Sequence, residues 1–468
     1  MTKFTVFTAK GGLAMTDKTV NKMQRWEEVY YTVKVQAIKG KLRNTLIALE
    51  TAVKYHEGTF RDGGEPYIIH PLMVAKTLML LKLEEELAGW FPHMDKNEIR
   101  YQCDILYAAA LLHDVLEDCY VTPFQLKKLR LENAVIQDVK ILSKKRKTRS
   151  EMLFWKLLER VLGKKRLYNE DKYFTRILEN WRTTLIKIAD RENNCSTMEV
   201  FKEKRLRKYV CETKVRFYDL CKQAKVKYPE LTNVIEIMRN SIVAEVEIVA
   251  TLLNMQNVIA DEDEGYEGTF KFIEEYSRNQ MPNTHKALYI ARDYYKGKKR
   301  SSGDPFIIHP LRATSYLINL RLDDDILCAG MLLHGLPEIY DFEEIGEQLK
   351  VTYNLSQEVI EIVKKIPKPK DVFLDNYYAE LEKDWRTILG RGGNRAHTCT
   401  KLAKISYEEK REYIKETREY LVPMLEYAVT RYPQFVNQID IMEHHVTTIC
   451  NIVEALVKKQ SNSIQGAK

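Results

Sequence analysis

Apolar positions recur with a helical period along nearly the whole chain. Over residues 42–55, Leu46, Ile47, Leu49 and Val53 fall near one face, as in an amphipathic helix. Residues 105–112 are almost all apolar and predict a buried helix. Residues 202–225 and 234–253 read as two long helices, with Tyr228-Pro229 breaking the chain between them. Thr122-Pro123 predicts a further helix start, continuing through Leu131. Pro71 and Pro310 suit the first helical position, which places His70 and His309 at or beside an N-cap. No convincing alternating strand is found, so the expected fold is all-α.

The pattern occurs twice. Tyr67-Ile-Ile-His70-Pro71-Leu72 recurs as Phe306-Ile-Ile-His309-Pro310-Leu311, each preceded by an Arg and a Gly. Ala110-Leu-Leu-His113 recurs as Met331-Leu-Leu-His334. Trp181-Arg-Thr183 recurs as Trp385-Arg-Thr387, and Glu212-Thr213, Tyr228-Pro229 and Ile237-Met238 follow at the same offset of 204 positions. So long a register points to one domain present twice. The expected layout is a tail (1–29), a first bundle (30–255), a linker with an acidic turn at 261–265 (256–283), and a second bundle (284–460).

Composition narrows the class. A chain of 468 residues, 45% hydrophobic, can bury a substantial core, and 30% charged residues suit a soluble protein. The balance of 74 basic and 66 acidic residues, net +8, favours anionic ligands without the concentrated basic patch of a nucleic-acid binder. Eight scattered cysteines form no Cys-x-x-Cys pair, and Cys103, Cys119, Cys195, Cys211 and Cys221 read as isolated thiols. No membrane span or signal peptide is evident, so the expected compartment is the cytoplasm. The densest basic run, residues 140–149, is either a solvated loop or a cationic rim that attracts phosphates.

The chemistry concentrates in the first copy. His113-Asp114 is followed one turn later by Glu117-Asp118 at the end of a buried helix, and on a continuous helix these four share one face. Charges there need a partner, and a divalent metal is a natural one. His70, His113, Asp114 and Asp190 make a mixed N/O set that suits Mn²⁺, Fe²⁺ or Zn²⁺ better than Ca²⁺. Such a metal lowers the pKa of water and supplies a nucleophile at neutral pH. Glu117 and Asp118 are candidates for orienting that water or protonating a leaving group.

The order Arg61…Gly-Glu-Pro-Tyr-Ile-Ile-His70-Pro, Leu-Leu-His113-Asp114-Val-Leu-Glu117-Asp118 and Lys187-Ile-Ala-Asp190-Arg191…Asn194 resembles the HD hydrolase domain of the RelA/SpoT homologues, the alarmone (ppGpp) 3′-pyrophosphohydrolases. The resemblance covers roughly residues 45–220, and Glu212-Thr213 resembles the family's Glu-Thr after the last motif. It implies Mn²⁺ on His70, His113, Asp114 and Asp190, with Glu117 and Asp118 serving the attacking water and the displaced group. Arg61 would contact the nucleotide base and Asn194 the ribose-phosphate. The implied reaction is hydrolysis of the 3′-diphosphate with release of pyrophosphate.

Three features depart from that pattern. Asp62 stands where the family carries Lys, and Asn193 where it carries His. An insertion including residues 84–92 lengthens the His70 to His113 interval to 43 positions, against 25 from His309 to His334, and is expected to reshape the pocket mouth. The second copy pairs Gly335 with Asp114, Ile339 with Asp118, Asn394 with Asp190 and Thr398 with Asn194, so it is expected to lack metal and hydrolysis. Arg300, Lys296, Lys298 and Lys299 remain there and could hold an anion, or that copy only buttresses the first. Two other readings stay open. One is a phosphohydrolase for another nucleotide or a phosphorylated dinucleotide cofactor, and the other a non-enzymatic nucleotide-sensing scaffold.

Overall fold

The structure is a computed structural model that describes residues 17–119, 121–144, 168–255, 266–300, 303–369 and 372–465. Most of the basic run (145–149) and the acidic turn (261–265) lie outside these residues. The described secondary structure is helical throughout, apart from the isolated bridges Phe60 to Pro66 and Lys299 to Pro305. None of the described helices is long and apolar enough to cross a membrane. None of the eight cysteines is in a disulfide.

The chain divides into two compact units, residues 1–76 with 94–166, and residues 77–93 with 167–468. In the first, helix Arg43–Tyr55 packs on Lys96–Leu112, which also packs on Asn133–Leu142. The buried face of Arg43–Tyr55 is Thr45, Ala48, Leu49 and Ala52, with Leu46 and Ile47 at its margin. Its start is tied down by the buried Asp104, whose carboxylate accepts from Asn44 N and Nδ2 and from Thr45 N and Oγ1 at 2.7–3.0 Å. Asp325 receives Asn283 and Thr284 in the same way in the second unit. Helix Lys96–Leu112 starts at Asp95, whose side chain accepts from Asn97 and Glu98 N–H groups.

Several boundaries differ from the expectation. Helices Ile69–Leu80 and Ile308–Asn319 begin one residue before the histidine, so His70 and His309 lie inside the first turn and each Pro is the third residue. Pro is tolerated there because that N–H has no helical partner in any case. The helix begun by the Thr122 and Gln125 capping box ends at Lys128, since Arg130 turns to φ +61°. The expected tail contains part of helix Asp17–Lys39. The expected linker contains Glu267–Ser277, with Phe270 and Ile273 in the core. The insertion forms Leu83–Trp90 in the second unit, where Trp90 meets Trp181 and Tyr228 edge-on at 6.0 and 5.7 Å.

In the second unit, Trp181–Cys195 and Trp385–Thr398 are capped by Asn180 and Asp384. The repeated Trp-Arg-Thr has a structural reason: Thr183 and Thr387 hydroxyls donate to the carbonyls of Ile177 and Leu381, in the last turns of the preceding helices. Thr213–Phe217 and Thr417–Leu421 are π-helical turns at equivalent places, and short 3₁₀ turns begin at Pro229 and Pro433.

Buried imidazoles are expected to make this unit acid-sensitive. His445 Nδ1 faces the Ser241 hydroxyl at 3.2 Å and Nε2 faces the Ala396 carbonyl at 3.1 Å, which fits a neutral ring. Burial pushes His445 and His334 down to about 4. Unfolded histidine titrates near ~6.5, so each contributes stability that is fully present above ~pH 6.5 and is lost as pH falls toward 4. Each is expected to cost about 2 kcal/mol between pH 7 and pH 5. Thermal unfolding should show a lower midpoint at pH 5, and equal midpoints would contradict the neutral assignment.

Candidate functional site

The first motif is delivered by a tight loop. The Arg61 N–H donates to the Glu65 carbonyl at 2.9 Å and the Gly64 N–H to the Arg61 carbonyl at 2.8 Å. Gly64 sits at φ +77°, a conformation that costs glycine little and other residues more, and Gly303 holds the equivalent place at φ +86°. Arg61 is half-buried and Asp62 exposed. The chain then enters Ile69–Leu80, with Tyr67 half-buried and His70 buried.

His113 and Asp114 do not lie on one continuous helix with Glu117 and Asp118. Helix Lys96–Leu112 stops before them, and a separate turn, Val115–Asp118, follows. Both residues keep right-handed helical dihedrals, so the chain direction nearly persists through the break. His113 Nδ1 lies 2.7 Å from the Ala110 carbonyl, to which it donates, leaving Nε2 as a lone pair. That Nε2 is 3.3 Å from His70 Nε2 and 3.2 Å from Asp114 Oδ2, and His70 Nε2 is 3.4 Å from the same oxygen. Donor atoms bound to one metal at ~2.1 Å lie about 3.0–3.5 Å apart, so these three fit a divalent transition metal. A backbone carbonyl fixing the ring tautomer is the usual support of a histidine ligand. Burial alone would raise the Asp114 carboxyl, but His113 and His70 hold it well below the usual range.

Tyr67 is a participant that the sequence reading passed over. Its hydroxyl lies 2.9 Å from Asp114 Oδ2 and 2.7 Å from Asp118 Oδ2, linking the two carboxylates. His56 stacks on the Tyr67 ring at 4.8 Å and lies 3.3 Å from Cys119 Sγ. Burial pushes His56 down to about 4, against the pull of Asp114. Glu117 is turned elsewhere and accepts from the Lys144 N–H at 3.2 Å.

Asp190 and Asn194 lie in the second unit on Trp181–Cys195. Buried Asp190 accepts from Lys187 Nζ and from Asn194 Nδ2, both at 2.6 Å. The next residue, Arg191, is clamped by Glu212 at 2.7 Å and Thr213 Oγ1 at 3.2 Å, and covers the Phe217 ring at 3.8 Å. Glu212-Thr213 thus holds the helix that carries Asp190.

The second copy repeats the frame with different contents. His309 and His334 face each other through Nε2 at 3.1 Å, and His334 Nδ1 meets the Met331 carbonyl at 2.6 Å. Asn394 replaces Asp190 and accepts from the Thr398 hydroxyl at 2.9 Å. Phe306, Gly335 and Ile339 stand in for Tyr67, Asp114 and Asp118, so the linked polar trio is missing as a set. A Cβ on Gly335 would meet Phe306 Cε1 at 2.5 Å, because the ring fills the space a carboxylate would need. Gly335→Asp is therefore expected to destabilise the chain by about 1–3 kcal/mol through overpacking, read by denaturant unfolding. An unchanged midpoint would contradict that packing.

Comparison with known proteins finds one family match and several partial relatives. Residues 287–374 match the HD domain family. The chain is 32% identical over 144 residues to a guanosine-3′,5′-bis(diphosphate) 3′-pyrophosphohydrolase of Haemophilus influenzae, covering 29% of this chain and 21% of that one. It is 29% identical over 171 residues to the bifunctional (p)ppGpp synthase/hydrolase SpoT of Escherichia coli, covering 34% and 24%. A guanosine-3′,5′-bis(diphosphate) 3′-pyrophosphohydrolase of Vibrio cholerae is 32% identical over 156 residues, covering 31% and 21%. The chain therefore has an HD domain in its C-terminal region and is homologous over part of its length to these enzymes. It spans less than a quarter of the length of each of these three relatives.

Proposed function

We propose that the first copy is a divalent-metal-dependent hydrolase of (p)ppGpp or a related 3′-phosphorylated nucleotide, releasing pyrophosphate. The observation that carries this is the close approach of His70 Nε2, His113 Nε2 and Asp114 Oδ2, beside homology to pyrophosphohydrolases. Asp190 is assigned as the fourth ligand on the order of the motifs and on its loss together with Asp114 in the other copy. Manganese is the metal assigned. Bound there, it supplies a nucleophile near neutral pH.

The protein's own groups do the rest. The Ala110 carbonyl keeps the His113 lone pair on Nε2. Tyr67 has one hydroxyl proton for two carboxylates, so it holds Asp114 and Asp118 in register and links them for proton exchange. Asp118, exposed at the end of its turn, is assigned to take the proton given up by the attacking water and pass it to the displaced group. Glu117, which accepts from the Lys144 N–H in this structure, is assigned to orient water on the order of the motifs alone. Arg61 and Asn194 are assigned to the nucleotide. The second copy, residues 284–460, is assigned as a duplicate that does not hydrolyse, and the cytoplasm as the compartment, in keeping with cysteines that form no disulfide.

A second reading keeps the chemistry and changes the substrate to another phosphorylated nucleotide or dinucleotide cofactor. Asp62, an exposed anion beside Arg61, favours it because it repels a pentaphosphate. A phosphate and pyrophosphate release screen over a nucleotide panel with Mn²⁺ separates the two. Pyrophosphate from ppGpp supports the first reading, turnover only of other nucleotides the second, and no turnover of any substrate contradicts both.

A further inference from the structure

The second copy contains a third histidine that the first lacks. His397 occupies the place of Asn193, and its Nδ1 lies 2.6 Å from His309 Nδ1. The three rings form a row: His334 and His309 centroids are 5.0 Å apart, and His309 and His397 centroids 4.8 Å.

Proton positions along the row follow from its fixed end. His334 Nδ1 meets the Met331 carbonyl and must donate to it, so His334 Nε2 is a lone pair. His309 Nε2 then donates to it across 3.1 Å, leaving its own Nδ1 as a lone pair. That atom in turn receives the His397 Nδ1–H. A neutral His397 therefore ends the row with a lone pair on Nε2, and this buried nitrogen has no hydrogen-bond partner within the described residues. A buried polar atom left without a partner is unfavourable, by about 1–3 kcal/mol.

The surroundings select the ligand. Arg300, Arg312 and Lys401 each lie close enough to hold the His397 imidazole, already pushed down by burial, further below its usual range. Lys401 pairs with Asp304 at 2.5 Å, and Arg300 covers the Phe306 ring at 5.5 Å. Gly335 and Asn394 replace the two carboxylates, and the acids that remain, Asp304 on Lys401 and Glu338 near Arg300, are outnumbered by Arg300, Arg312 and Lys401. What fits is a ligand with negative charge for the cations and one O–H for His397 Nε2.

We propose that the second copy is a binding site for a phosphate-type oxyanion, a hydrogen phosphate or phosphate monoester, whose O–H donates to His397 Nε2 and whose charged oxygens face Arg300, Arg312 and Lys401. This site is separate from the proposed hydrolytic centre and does not depend on it.

The probe is inorganic phosphate, titrated into the full chain in metal-free buffer by calorimetry. The background is His113→Ala, so that the first copy makes no metal-assisted contribution. One phosphate per chain is expected, weakened at least about tenfold in Lys401→Gln and in Arg300→Gln. Either exchange is on a side chain that is not fully buried, and circular dichroism checks that each variant is folded. Histidine ¹⁵N spectra supply an independent reading: the His397 Nε2 signal should shift toward a hydrogen-bonded nitrogen on adding phosphate, and the His445 signals should not. Absence of phosphate binding, unchanged affinity in both variants, or a silent His397 signal would each overturn the assignment.

Discussion

Asp114→Asn is expected to lower metal-dependent turnover by more than about 100-fold, beyond what loss of an outer-shell partner produces. The exchange keeps the shape of the side chain and removes only its charge. That charge is the carboxylate that His70 and His113 hold ionised at 3.4 and 3.2 Å. Without it the first unit presents two imidazoles and no carboxylate between them, as the second copy does at His309 and His334. Tyr67→Phe should be milder, about 10–100-fold, because it frees Asp114 and Asp118 from their shared hydroxyl without removing a donor to the metal. Thermal unfolding checks that Asp114→Asn is folded at the temperature of the assay. Equal turnover in parent and Asp114→Asn would remove this residue from the site.

The largest stability effect is expected at Glu416. Its carboxylate accepts from Arg391 at 2.9 Å, Arg395 at 2.5 Å, Lys368 at 2.8 Å and the Tyr378 hydroxyl at 2.9 Å. Burial pushes its carboxyl up, but Arg395 and Arg391 hold it down at about 2. Glu416→Gln leaves two buried guanidiniums without their counter-charge, and removal of one partner from a buried pair costs about 3–5 kcal/mol. The repeat supplies a control. Among the described residues Glu212 pairs with one guanidinium, Arg191, and is itself 39% exposed, so Glu212→Gln should cost clearly less than Glu416→Gln. Denaturant unfolding of the two variants should separate them clearly, and equal losses would show that the Glu416 network is not what holds that part of the unit.

Much of this was legible along the chain. Helical periodicity marked the elements because packing in an all-α fold imposes one dominant period. The break at His113 and Asp114 was not legible, because neither residue is Gly or Pro and both remain in the helical region. Tyr67 escaped notice since its role arises through space, across 47 and 51 positions to Asp114 and Asp118. The exchange of Tyr67 for Phe306, alongside the losses at Gly335 and Ile339, was the available signal. His397 stands at the constant offset from Asn193, beside rather than at a ligand position, so the motif alone does not mark it. The ends of the Arg43–Tyr55 and Pro123–Lys128 helices depended on Asp104 and on the positive φ of Arg130, neither of which periodicity records.

The central claim is that one copy holds a metal and the other does not. Counting the manganese retained per chain, by elemental analysis after equilibration and desalting, tests it directly. The account predicts one ion per chain, absent in Asp114→Asn and retained in His334→Asn. Two ions per chain, or loss of the ion in His334→Asn with the fold intact, would contradict it.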